Sequence, residues 1–225
     1  MKITIFGNGK MGKLIAKHAI NRGHIINNIA SSKIPAADID LSTTDMVIDF
    51  STPDTAFTNI SYAINNQTAI VSGTTGWLSK LKKIHKICKS KNGSFLHSSN
   101  FSLGVNLFFQ LNKNLTKIIQ EYDYQVSIDE IHHSEKIDQP SGTAKVLADD
   151  INKLSNKKPK INSIRNGETT GIHSVEHKSK HDIIEIKHIA LNRESFAQGA
   201  ILAAEYLVDK KGIFTMSDVI KELSL

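Results

Sequence analysis

The chain has 225 residues, 40% of them hydrophobic, with a formal net charge of +6. That is enough apolar material for one large or two small cored domains, and neither Gly and Pro enrichment nor a block of like charge marks the chain as disordered. Of its 28 basic residues only Arg22, Arg165 and Arg193 are arginine, and the lysines are scattered without interleaved aromatics, which argues against a nucleic-acid partner and leaves acidic small molecules as the better match for the positive charge.

No apolar run approaches the roughly 20 residues of a membrane helix, so no membrane partner is expected. Met1 leads straight into "KITIFGNG", too short and too soon broken by glycine for a secretory signal. The single cysteine, Cys88, excludes an intramolecular disulfide and reads as a packed thiol in a reducing compartment. A soluble cytoplasmic protein is expected.

The first half alternates strands and helices. "KITIF" predicts a strand and "KMGKLIAKHAINRG" a helix, with Met11, Leu14, Ile15 and Ala19 at helical spacing and Gly23 at its end. "HIINNIA" and "DMVIDFS" predict further strands, and "PDTAFTNISYAINN" a helix with Pro53 near its first turn. "TAIVSGTTG" predicts a fourth strand running into a loop, "LSKLKKIHKICKSK" a helix and "GSFLHSSNF" a fifth strand. Such alternation implies a doubly wound parallel sheet, Rossmann-like in class. After Phe101 the pattern changes. "GVNLFFQLNKNLTKIIQ" predicts a long helix, "YDYQVSIDEI" a strand and "TAKVLADDINKLS" a helix. "KINSIR", "GIHSVEHK" and "DIIEIKHIAL" then follow as strands without helices between them. That is an α+β segment with a mixed or antiparallel sheet. The chain is expected to close with one helix, "SFAQGAILAAEYLVDK", in a strand-free tail that packs back on the first domain. The expected domains are therefore 1–101 with 194–225, binding a dinucleotide, and 102–193, binding substrate and supporting oligomerisation.

Gly7-Asn8-Gly9-Lys10-Met11-Gly12 fits G-x-G-x-x-G between a strand and a helix. There the glycines allow a tight turn and close approach of a pyrophosphate to free N–H groups, although the same pattern also serves a turn that only packs a helix. The acid that usually follows the second strand to hold a ribose diol is absent. Ser31, Ser32 and Lys33 stand there, and no carboxylate comes before Asp38. Hydroxyls and a lysine suit a 2′-phosphate better than a diol, so NADPH is admitted beside NADH; a plain solvated turn is the alternative. Gly73-Thr74-Thr75-Gly76 and Ser98-Ser99-Asn100-Phe101 end the fourth and fifth strands, and Asp49-Phe50-Ser51 the third, where ligands of doubly wound sheets bind.

The stretch "EIHHSEKIDQPSGTA", Glu130 to Ala144, gathers titratable groups before a helix start. His132 and His133 leave a strand on opposite faces and so have different tasks. Lys136 is within a loop's reach, and Pro140 keeps Gln139 out of helix. Ser141 is a plausible N-cap that leaves the N–H groups of Gly142, Thr143 and Ala144 free, an anion cradle beside two possible proton donors. A polar loop before a capped helix is the bland alternative. Neither His132 nor Lys136 is expected in a core.

These residues resemble the 4-hydroxy-tetrahydrodipicolinate reductase (dihydrodipicolinate reductase) family of bacterial lysine biosynthesis. The resemblance rests on the opening glycine motif, "DFS", "GTTG", "SSNFSLGVN", the signature E-x-H-H-x-x-K-x-D-x-P-S-G-T-A and "RESFAQGAILAAEYL", and spans essentially the whole chain. It implies NADH- or NADPH-dependent reduction of a cyclic imine dicarboxylate on the diaminopimelate route to L-lysine. It makes His132 the catalytic acid/base and Lys136 the proton donor. His133, Ser141, Gly142 and Thr143 become substrate ligands, and the 7–12, 31–33, 73–75 and 98–101 loops cofactor contacts. It also implies a homotetramer built through the second domain's sheet. The chain departs from longer members in a glycine loop one residue shorter and in the near-absence of an Arg-Gly-Gly…Gly-Glu-His hairpin between His173 and His188.

His173, His177 and His181 are spaced by four, but on a strand such neighbours lie about 13 Å apart, so no metal is expected. A non-catalytic dinucleotide sensor would account for the glycines but not for His132, Lys136 and the capped cradle together. A nicotinamide dehydrogenase acting on another amino or keto acid remains the alternative enzyme.

Overall fold

The computed structural model describes residues 1–223 and divides into two compact units, one of Met1–Leu103 with the chain from Glu194 onward, the other of Gly104–Arg193. Positions 224 and 225 of the expected first domain lie outside the described residues.

The first unit opens with β1 (Lys2–Phe6), α1 (Lys10–Asn21), β2 (Ile25–Ala30), β3 (Met46–Asp49), α2 (Pro53–Asn65), β4 (Ala69–Ser72), α3 (Leu81–Ser90) and β5 (Ser94–His97). Every residue of β3 and β4 is buried, as a parallel strand covered on both faces requires. Gly12, Ile15 and Ala19 form the buried stripe of α1 at helical spacing. Pro53 stands at the first position of α2, where its missing N–H removes no helical bond.

The second unit follows with α4 (Leu103–Ile119), β6 (Gln125–His132), α5 (Gly142–Ser155), β7 (Lys160–Arg165), β8 (Ile172–Lys178) and β9 (Ile183–Ile189). Its sheet has the order β7-β6-β8-β9, with β6 parallel to β7 and antiparallel to β8, and β8 antiparallel to β9. Phe108 of α4 and Ala144, Leu147 and Ile151 of α5 pack with Ile128 and Val175 into one core on one face of the sheet. On the other face Ile164, Ile131, Ile172 and Ile189 stand side by side in register across all four strands. Ile164 and Ile189 are 48% and 52% exposed, so this apolar row is open to solvent. Ser179 and Asp182 close the short β8–β9 turn through backbone and hydroxyl bonds, at the place where the sequence lacks the longer hairpin.

The chain then returns to the first unit as α6 (Glu194–Leu207), β10 (Gly212–Phe214) and α7 (Met216–Leu223). The six-stranded sheet has the order β10-β5-β4-β3-β1-β2 with every pairing parallel, the expected doubly wound class. The strand-free tail ending in one helix is corrected by β10 and α7. Three residues of Gly-Ile-Phe carry almost no strand pattern of their own. They form a strand because the free edge of β5 supplies backbone partners, Ile213 opposite Phe95 and Phe214 opposite Leu96. The Thr215 N–H and hydroxyl both donate to Asp218 at 2.8 Å, which starts α7.

Helix α6 lies on one face of the sheet. Its Ala197, Ala200, Ile201, Ala204 and Leu207 join Ile3, Ile48, Val71 and Leu96 in one core, while α2 and α3 cover the opposite face through Ile60, Ile64 and Ile84. The small side chains let α6 approach closely, and a β-carbon at Gly199 would overlap the carbonyl oxygen of Phe101. Gly199→Ala should therefore destabilise the fold by about 1–3 kcal/mol through overpacking and lower the melting temperature by several degrees. A differential scanning experiment in which the variant melts with wild type would remove the close approach as a constraint.

Candidate active site

The first unit gathers its loops at the carboxyl ends of its strands. Gly7 follows β1 at φ +114°, and a β-carbon there would overlap the carbonyl of Phe50, while one at Gly12 would overlap the carbonyl of Gly7. Gly9 caps α1 without a side-chain bond and has open space where a β-carbon would stand. The first helical bond is Lys13 N–H to Gly9 O at 3.1 Å, so the N–H groups of the preceding turn have no helical acceptor, and no acid stands among them. A backbone pressed this close with an open, positive helix end fits a pyrophosphate. A cavity of about 210 Å³ lies beside it, lined by Met11, Phe50, Ser51, Pro53, Gly73, Thr74 and Thr75. Asn8 and Lys10 are exposed at its edge of the loop. After β2 the Ser31 hydroxyl accepts from the N–H of Lys33 (3.2 Å) and Ile34 (3.3 Å), which leaves Ser32 and Lys33 exposed on the turn.

One buried carboxylate fixes two of these loops. Asp49, fully buried at the end of β3, accepts from the hydroxyls of Ser51 (2.6 Å), Ser72 (2.9 Å) and Thr74 (2.8 Å). The Thr74 hydroxyl in turn accepts from Ser51 N–H at 2.9 Å. Burial raises the Asp49 pKa against the pull of these donors. The Thr74 side chain is thereby committed inside the protein, and Phe101 is buried with its ring 5.7 Å from that of Phe50. Gly73 and Thr75 line the cavity, and Ser98 bonds the backbone of Asn100 on both sides, with Ser99 exposed between them.

In the second unit Glu130 and His132 lie two apart on β6 and share a face. Glu130 is 0% and His132 only 7% exposed, which corrects the expectation that His132 stays outside a core; it sits in a buried polar cluster. Glu130 Oε1 accepts from Arg165 Nη2 (3.0 Å) and from the N–H of Ser141 (3.2 Å), and Oε2 lies against His132 Nδ1. His173, opposite Glu130 in register, brings its ring centre to 4.9 Å from that of His132. The Ser141 hydroxyl accepts from Ala144 N–H (3.2 Å), capping α5, and faces His173 Nε2 at 3.0 Å. Burial, reinforced by His132, pulls His173 down to about 4, so it is neutral at neutral pH. Burial also lowers His132, opposed by the Glu130 charge. Gly171 (φ +157°) stands beside the other nitrogen, and a β-carbon there would come within 3.1 Å of His132 Nε2.

The loop after β6 is held by Arg165. Its Nε donates to Lys136 O (3.1 Å) and its Nη2 to Asp138 O (2.6 Å), besides the bond to Glu130. Lys136 Nζ donates to Asp138 Oδ1 at 2.6 Å. His133 is half-buried, Gly142 exposed and Thr143 half-buried at the first turn of α5, which carries no acid of its own but whose Gly142 N–H is met by the Asp138 carboxylate. The structure thus brings His132, His133, Lys136, Ser141, Gly142 and Thr143 to one end of one sheet. Of the three spaced histidines, His173 and His177 are buried on β8 and His181 lies in the exposed turn. Glu130, His132 and His173 have metal-ligand chemistry within 4.8 Å of one another, but the Arg165 guanidinium already neutralises the carboxylate.

Sequence reasoning gave no role in the site to Glu130, Arg165, His173 or Gly171, and it placed Asp49 among the ligand-lining loop ends, where the structure buries it as their brace. Two had a usable signal: Glu130 heads the signature at strand spacing from His132, and Arg165 is one of only three arginines. His173 and Gly171 had none, because strand register alone brings them to His132.

Residues 29–101 match the family described as dihydrodipicolinate reductase, N-terminus, and residues 104–220 the one described as dihydrodipicolinate reductase, C-terminus. The 4-hydroxy-tetrahydrodipicolinate reductase of Christiangramia forsetii is 43% identical over 236 residues, and that of Thermosipho africanus 37% identical over 225, each alignment covering 99% of both chains. A solved dipicolinate-bound dihydrodipicolinate reductase from Paenisporosarcina sp. TG-14 has the same fold, with a TM-score of 0.79 at 20% identity over 97% of this chain and 99% of that one.

Proposed function

We infer that this chain, which belongs to the dihydrodipicolinate reductase family, reduces 4-hydroxy-tetrahydrodipicolinate (dihydrodipicolinate) to tetrahydrodipicolinate with a nicotinamide nucleotide, in the diaminopimelate route to L-lysine. The observation that carries the residue roles is the end of β6, where a buried imidazole and a lysine stand beside the α5 N-terminus, with the Asp138 carboxylate on both the lysine and the Gly142 N–H in the place a substrate carboxylate would take.

The 4-hydroxyl leaves as water to give the unsaturated dihydrodipicolinate ring, to which the nucleotide, when bound, would supply a hydride. The neighbouring carbon then needs a proton, and His132 is the group assigned to give it, from Nε2. Lys136 is assigned a double part, as a charge for a substrate carboxylate and as a second proton donor. The N–H groups of Gly142 and Thr143 hold a carboxylate, with His133 beside them, and Ser141 acts by capping the helix that presents them. In the first unit the 7–12 turn takes the pyrophosphate, the 31–33 turn the adenosine ribose, and the 73–75 and 98–101 loops the nicotinamide side. Ser32 and Lys33 are exposed there without an acid, which favours NADPH or its equal use with NADH. The isoleucine row on the second unit's sheet supports a homotetramer built through that face. Cys88 is a free, buried thiol, which suits the reducing cytoplasm.

His132→Gln should lower kcat by about 100- to 10,000-fold, the usual worth of a positioned acid, with nucleotide affinity unchanged. Lys136→Ala should lower kcat and raise KM together. Dipicolinate should compete with substrate in both the parent and His132→Gln enzymes. Steady-state assay with the condensation product of pyruvate and aspartate semialdehyde tests all three, and near-normal turnover of His132→Gln would reassign the proton to Lys136 or water.

Lys33→Ala should weaken NADPH more than NADH, by a margin that shrinks as salt rises. Equal losses in calorimetry would refute a 2′-phosphate contact. On the open sheet face, Ile172→Glu places a charge in the middle of the isoleucine row and should shift sedimentation from tetramer to smaller species. An unchanged sedimentation coefficient would move the oligomer contact elsewhere.

A further inference from the structure

We propose that Glu130 is the positioning residue for proton delivery: tethered by Arg165 and the Ser141 amide, it fixes His132 with its proton on Nδ1 and Nε2 toward the substrate. This deepens the reading of His132 as the acid and rests on it.

The two oxygens of the Glu130 carboxylate divide their partners. Oε1 takes both backbone-anchored donors, Arg165 Nη2 at 3.0 Å and Ser141 N–H at 3.2 Å. Oε2 is left to His132 Nδ1, which has no other hydrogen-bond partner, and the Ser163 hydroxyl, opposite Glu130 in register, is a further donor to the carboxylate. A carboxylate so divided accepts at Oε2, so Nδ1 must carry the hydrogen. The proton that comes and goes is then on Nε2, the nitrogen beside Gly171, where the missing side chain leaves room.

The surroundings show why a carboxylate is needed. The titratable groups facing His132 are Glu130 on its own strand, Lys136 on the following loop, Arg165 on β7 and His173 on β8. Lys136 and Arg165 are positive and His173 is neutral, so Glu130 is the only negative charge among them. An imidazolium out of water and between two cations would lose its proton without that carboxylate. Arg165 also bonds the carbonyls of Lys136 and Asp138, so the group that tethers Glu130 sets the loop bearing the second proton donor.

A purely structural role predicts a different result. Glu130→Gln keeps the shape, and its amide oxygen can still accept from Arg165 and Ser141. Its amide nitrogen then faces His132 Nδ1 as a donor and opposes the imidazolium. Removing a carboxylate that raises the His132 pKa lowers that pKa, so the acid form is lost at lower pH. The alkaline limb of kcat/KM should move down by about 1–3 pH units while NADPH and dipicolinate affinities hold; the melting temperature should fall, because Arg165 loses its counter-charge, so the pH limb and not stability separates the two roles. A fall in activity with the limb unmoved would make Glu130 a strut and overturn the proposal, as would unchanged activity. If the variant fails to fold, nitrogen-15 spectra of the parent enzyme decide: a hydrogen on Nδ1 with a titrating Nε2 supports the proposal, and the opposite neutral tautomer overturns it. Normal turnover by His132→Gln would instead refute the reading beneath it.

Discussion

A carboxylate taken fully out of water must find its counter-charge and its donors inside the protein, and the second unit is built around one that does. Glu130 binds the start of α5, the side chain of β7's last residue and the imidazole two places along its own strand. Breaking a buried ion pair by removing one partner typically destabilises by about 3–5 kcal/mol, because the other charge is left stranded. The same economy therefore makes the cluster rigid and makes its members interdependent. The N-terminus of α5 and the buried imidazole of His132 are aligned by a single side chain.

The first unit repeats the device without a counter-ion. Asp49 also sits at the carboxyl end of a strand and also gathers loops, but hydroxyls of Ser51, Ser72 and Thr74 replace the guanidinium. Neutral donors leave burial as the larger influence on Asp49, which is raised, whereas donors including Arg165 hold Glu130 below the usual carboxylate range despite its burial. One carboxylate thus braces a pair of strand-end loops through neutral donors. The other sits in a cluster with a guanidinium and an imidazole.

Much of this was legible in the chain. Strand–helix alternation through residue 101 names a doubly wound sheet, because each element carries its own period, and the Pro53 and Ser141 helix starts carry their own local chemistry. What failed to show was set by distance in sequence. β10 is too short to announce itself and exists by pairing with a strand more than a hundred residues earlier. His173 reaches the site by antiparallel register, and the burial of His132 follows from two partners, Arg165 and His173, that no local window contains. The signature marked Glu130 as present without saying what its oxygens touch.

The return of the chain has a consequence for how the protein is made. One face of the parallel sheet is covered by α6, and its β5 edge is closed by β10, both of which follow residue 193. A nascent chain therefore carries five strands whose apolar face has only α1 as cover while the whole second unit, residues 104–193, is synthesised and can fold on local contacts. The first-encoded unit is the last to be sealed. Its late closing places the most aggregation-prone interval of biogenesis before α6 emerges, and ties survival of the first unit to the prompt folding of the unit inserted into it.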